Sequence, residues 1–67
     1  MMHIENSQIV PLYLLLKRRE EELDRNLQVL YHKLQRELFS ILSIEEMESL
    51  EELYRDDVEV LEKRGYV

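Results

Sequence analysis

Apolar residues recur through the first two thirds of this chain at Leu16, Leu23, Leu27, Leu30, Leu34, Leu38 and Ile41. The steps of three and four keep them on one face of an α-helix. From Leu23 onward the spacing drifts from a strict heptad towards an eleven-residue repeat, which argues against a long left-handed coiled coil. Ahead of this stripe lies an unbroken apolar block, Ile9 to Leu16 (IVPLYLLL). Pro11 suits the first turn of a helix and biases Val10 away from helix, although Asn6 or Ser7 would make better caps than Val10. A first helix is therefore expected over about 11–41, behind a loose arm at 1–8.

The turn is expected at 42–43. Ser43 and Glu46 have the spacing of a capping box, and Leu42 and Met47 that of a hydrophobic staple, so a second helix should start at Ile44 and run to about residue 64. Lys63 and Arg64 would complement the dipole in its last turn, Gly65 would take the left-handed position, and Tyr66 would fold back on Leu61.

These two helices predict an all-α, two-helix antiparallel hairpin filling one domain, residues 1–67. Leu38 would lie near Met47, Leu34 near Leu50, Tyr31 near Tyr54, Leu27 near Val58 and Leu23 near Leu61. At ~1.5 Å per residue the first helix would be about 46 Å long and the second about 32 Å. The return helix would then end opposite Glu20 and leave Leu12, Tyr13, Leu14, Leu15 and Leu16 without cover from their own chain. Wet side chains of this size forfeit about 1.5–3 kcal/mol each. The expected remedy is a homodimer, an antiparallel four-helix bundle whose interface contains Leu12, Tyr13, Leu15, Leu16, Leu23, Leu27, Leu30 and Leu34. The rival covers are an obligate hetero-partner, a membrane surface, or an extended QIVPLYLLL pairing as a strand.

Size and composition sharpen this expectation. A chain of 67 residues with no Cys and two isolated His has neither disulfides nor an evident metal site to supplement a small core, which leaves association. The missing Cys suits a reducing compartment, so a cytoplasmic location is expected. The eight-residue apolar block is far short of the ~20 residues of a membrane span. It also does not read as a secretory signal, because no base precedes it in MMHIENSQ and its charges follow as KRR.

The net charge of −6 is concentrated in the second helix. Residues 43–67 hold nine acids and three bases, whereas 1–42 hold six of each. Part of this acid is expected to pair across the hairpin, as Arg36 with Glu48, Lys33 with Glu52 and Arg25 with Glu59, each pair contributing only tenths of a kcal/mol. The sharper reading is a negative ridge of Glu45, Glu48, Glu52, Asp56 and Glu59, spaced at three and four, that meets a basic protein partner. KRREEELDR, residues 17–25, has Lys17–Glu21, Arg18–Glu22 and Glu21–Arg25 at four-residue spacing, the pattern of a salt-bridged solvent face.

No catalytic residues, cofactor or metal ligands are expected. His3 and His32 lack ligand spacing, there is no Gly-rich phosphate loop, and Asp56 and Asp57 point about 100° apart on a helix. The expected function is a small non-catalytic regulator or adaptor that binds protein. A structural subunit of a phage particle or secretion apparatus is an alternative.

The plan of a helical hairpin that doubles into a bundle, together with EELYR at 51–55, resembles the Rop family of small plasmid regulators. That resemblance implies RNA binding as a further alternative. The chain departs from that family in its unequal helices and in lacking a basic face on helix one. By form it is equally similar to the small acidic helical-hairpin regulators of bacteria and phages that inhibit a larger protein.

Overall fold

Helix ends are stabilised by bases at the carboxyl end and acids at the amino end, by about 0.3–1 kcal/mol each. KRREEELD, residues 17–24, has this order for a stop followed by a restart, and that is how the chain uses it. The structure, a computed structural model, describes residues 3–66. Helix α1 (Asn6–Arg18) carries Lys17 and Arg18 in its last turn. Glu20–Glu22 forms a single 3-10 turn, and Leu23 is extended at φ −73°, ψ 133°. Helix α2 (Arg25–Phe39) then begins behind Asp24, whose Oδ1 accepts the Leu27 N–H at 2.9 Å. The single helix expected over 11–41 is thus two helices joined at 19–24.

The start of α1 also differs from expectation. Neither Asn6 nor Ser7 caps it. Glu5 does so instead, its N–H donating to Gln8 Oε1 at 2.9 Å while its carbonyl accepts the Gln8 N–H at 2.9 Å. The arm expected at 1–8 is helical from Asn6; its first two residues lie outside the described ones. Pro11 falls inside the helix, and Val10 is helical although a proline follows it. Val10 is fully buried, and burial worth about 1.5–3 kcal/mol outweighs the steric bias against helix before proline.

After α2 the chain turns through residues 40–43. The Ser43 hydroxyl accepts the Glu46 N–H at 3.1 Å and the Ser43 N–H donates to Glu46 Oε1 at 2.9 Å, so that α3 (Ile44–Glu48) starts behind a complete capping box. The rest of the expected second helix is divided into α4 (Leu50–Asp56) and α5 (Val58–Lys63). Its breaks fall at Ser49 (φ −103°, ψ 15°) and Asp57 (φ −131°, ψ 48°). Ser and Asp are weak helix formers because their side chains compete for backbone groups. Glu48 and Glu52, four apart on either side of Ser49, add like-charge repulsion that works against a continuous helix there. The end of α5 is a Schellman motif: the Tyr66 N–H donates to the Leu61 carbonyl at 2.9 Å and the Gly65 N–H to the Glu62 carbonyl at 3.1 Å, with Gly65 at φ 87°.

The break at 19–24 lets α1 double back, and it packs against α2 and α4. Val10, Tyr13 and Leu16 of α1 join Tyr31, Leu34 and Leu38 of α2, with Leu42, Met47, Leu50, Leu61 and Tyr66, in one core. Tyr13 and Tyr31 stack with ring centroids 5.3 Å apart and planes 11° from parallel, a contact worth about 0.5–1.5 kcal/mol beyond burial. Tyr31 therefore partners Tyr13 and not Tyr54, which is exposed. The longest dimension of the protein is 32 Å, too short for a ~46 Å rod. Among the described residues the architecture is all-helical, and the apolar block meets its own chain first.

Candidate functional site

The break changes what the eight residues expected at a dimer interface do. Tyr13, Leu16 and Leu34 are buried within the single chain, Leu12, Leu23 and Leu30 are half-buried, and Leu15 and Leu27 face solvent. Leu12 to Leu16, expected to lack intrachain cover, are covered on one side of α1 by α2 and α4.

The acids of the expected ridge are distributed over three helices with non-helical backbone between them. Glu45 and Glu48 lie on α3, Glu52 and Asp56 on α4, and Glu59 on α5, all exposed. The expected pairs Arg36–Glu48, Lys33–Glu52 and Arg25–Glu59 are not among the ion pairs of the described residues. Arg18 bonds Glu51 at 3.0 Å, Arg64 bonds Glu46 at 3.2 Å, Arg19 bonds Glu22 at 3.2 Å and Arg55 bonds its neighbour Asp56 at 3.3 Å. The pairs foreseen within KRREEELDR give way to Arg19–Glu22 because the helix stops at Arg18. Among the described residues Glu45, Glu48, Glu52 and Glu59 have no ion partner.

Among the described residues, two of the surface hollows bear on α1. One, about 470 Å³, lies inside the bend and is lined by Lys17, Arg18, Arg19, Glu20, Glu21 and Glu22. Its three bases and three acids cancel, and all six side chains are exposed. The other, about 220 Å³, is a groove between α1 and α4 lined by Pro11, Leu14, Leu15, Tyr54 and the charged trio Arg18, Glu51 and Arg55. The Arg18–Glu51 bond ties the two helices together beside it. Pro11, Leu14 and Tyr54 were not foreseen as a shared surface. The signal that pointed to it is the absence of any polar side in α1 between Ile9 and Leu16.

The perturbed acid groups serve packing and capping. Burial, with the adjacent Tyr13 hydroxyl, pushes Tyr31 up to about 12, and that hydroxyl accepts from Gln35 Nε2 at 3.4 Å. Burial also raises Tyr66, with Glu37 adding to it, and the Tyr66 hydroxyl has no hydrogen-bond partner among the described residues. The Ser43 backbone N–H, helped by Arg64, holds the Glu46 carboxyl below the usual carboxylate range. Among the described residues no three of His, Cys, Asp and Glu gather closely enough to hold a metal ion. No described helix is long and apolar enough to cross a membrane.

The described surface thus carries exposed acids on α3–α5 and a partly apolar groove between α1 and α4. The chain matches no protein-family model, no curated protein and no solved structure.

Proposed function

We propose that this protein is a small non-catalytic regulator or adaptor, homodimeric, that binds a basic protein partner through the acids of α3–α5. One observation carries the reading: Glu45, Glu48, Glu52 and Glu59 stand exposed without an ion partner among the described residues. Like charges at helical spacing cost stability, and here the bases of α2 do not offset them. A partner that brings Lys or Arg to this face would relieve the repulsion and gain electrostatic steering. Nucleic acid fits less well, because its phosphates would meet the same acids. A reducing compartment such as the cytoplasm suits a chain without Cys.

The test is affinity capture by the immobilised chain and by a Glu48→Lys, Glu52→Lys double variant. The wild type should retain a basic protein that the variant loses while circular dichroism shows equal helicity. Retention of the same protein by both chains, or of none by the wild type, refutes the reading.

A further inference from the structure

Helix α5 has little of its own to hold it in place. It is six residues long, well below the ~12–15 residues at which an isolated helix is even marginal in water, and it starts at Asp57 (φ −131°, ψ 48°) with no side-chain cap. Its helical neighbour is chiefly α4, the element next to it in the chain. The ties to the rest of the protein lie towards its far end. Leu61 is fully buried and Tyr66 is 2% exposed, and Arg64 Nη2 donates to both carboxylate oxygens of Glu46, at 3.2 and 3.3 Å. That carboxylate is already in use, because Glu46 Oε1 also accepts the Ser43 N–H at 2.9 Å and so completes the capping box that starts α3. One oxygen serves two donors. Each donor holds the flexible glutamate in the rotamer the other needs, so the second bond forms with little further loss of side-chain freedom. Against this stands a cost of the closed arrangement: the Tyr66 hydroxyl is buried with no hydrogen-bond partner among the described residues, and water would satisfy it once the segment swung out.

We infer that residues 58–66 form a latch that opens as a unit about Asp57, closed by Arg64 on Glu46 and poised to open by the orphan hydroxyl of Tyr66, and that its opening loosens the cap of α3. The amino end of α3 and the carboxyl end of the chain are then one coupled device, while α1 and α2 stay in place. A helix too short to persist alone melts when Leu61 and Tyr66 leave the core, so the segment is either docked and helical or released. Release also returns Glu46 to solvent as an acid no longer engaged by Arg64.

Amide hydrogen exchange resolved by NMR on the full chain, with intrinsic rates divided out, provides the test. In the wild type the Gly65 and Tyr66 amides, which donate to the Glu62 and Leu61 carbonyls, should exchange faster than the amide of Leu38, which is fully buried in the core. Arg64→Gln removes the charge and keeps a polar side chain. It should raise exchange about 2–5-fold at Gly65 and Tyr66 and, in the same direction, at Ser43 and Glu46, with no change at Leu27, whose N–H is held by Asp24 in the separate cap of α2. Tyr66→Phe deletes only the hydroxyl and should slow exchange at positions 65 and 66 by about fivefold or more. Ser43 and Glu46 amides that ignore Arg64→Gln overturn the coupling to α3. Exchange at position 66 that Tyr66→Phe leaves unchanged or speeds overturns the poise. A wild type in which Tyr66 exchanges no faster than Leu38, or an Arg64→Gln chain in which Leu27 accelerates equally, means that the segment opens only with the whole fold and overturns the latch itself.

Discussion

Asp24→Ala distinguishes a broken helix from a continuous one by the sign of its effect. In the structure Asp24 is the N-cap of α2, and the substitution removes the acceptor that holds the Leu27 N–H at 2.9 Å. Losing such a cap costs about 1 kcal/mol, within a range of about 0.5–2. Removing a negative charge from the start of a helix adds about 0.3–1 kcal/mol at low salt. A 67-residue domain has a total stability of about 3–10 kcal/mol, so the loss is a sizeable fraction of the whole. It should lower the Tm by about 4–8 °C for each kcal/mol. In a helix running unbroken through residue 24, the same change would replace a poor interior residue with the best one and raise stability by up to about 0.7 kcal/mol. Asp24→Asn keeps the acceptor and removes only the charge, so its loss should be the smaller. Thermal unfolding followed by circular dichroism at neutral pH and low salt provides the comparison. A Tm for Asp24→Ala equal to or above that of the wild type refutes the break at 19–24.

Three further outcomes follow from the described geometry. Gly65→Ala should cost about 1–2 kcal/mol in denaturant unfolding, all of it backbone strain, because φ is +87° and nothing lies within 4 Å of the added Cβ; Gly65→Asn should cost less. Folded Tyr31 keeps its proton to about 12, whereas its ordinary value is 10.0, so its contribution is complete below pH about 10 and is lost as pH rises through about 12. Tyr31→Phe should weaken that alkaline fall in Tm. Glu46 behaves in the opposite sense: its lowered folded value contributes stability above the ordinary 4.5 that disappears as pH falls through the folded value, and Glu46→Gln should flatten the acid side of the Tm profile.

Local signals at fixed offsets were legible in the sequence. Ser43 and Glu46 announce the start of α3, and Gly65 followed by Tyr66 announces the end of α5, because a cap depends on a few neighbouring residues whatever the rest of the fold does. The break at 19–24 was a contest between two local readings of one string. Lys17–Glu21 and Arg18–Glu22 favour a continuous helix, worth about 0.2–0.5 kcal/mol per pair, while Asp24 and the dipoles of two helix ends favour a stop. The second set is the larger, and Asp24 three residues ahead of Leu27 was its visible sign. Once the chain bends there, every long-range pairing changes. Tyr13 on Tyr31 was out of reach of a reading that placed α1 beyond the end of its partner. The acids of α3–α5 keep their three- and four-residue spacing in the string, but the breaks at Ser49 and Asp57 divide them among three short helices, which that spacing did not reveal.

The doubled-back α1 has a consequence during synthesis. The uncharged segment holding Val10, Tyr13 and Leu16 is made before much of the core it joins, which includes Leu50, Leu61 and Tyr66, dozens of residues further along the chain. At ~5–20 residues per second, the nascent chain presents a bare greasy helix for seconds before its covering residues emerge. Until then the side of α1 that the finished fold encloses is open to association with other apolar surfaces.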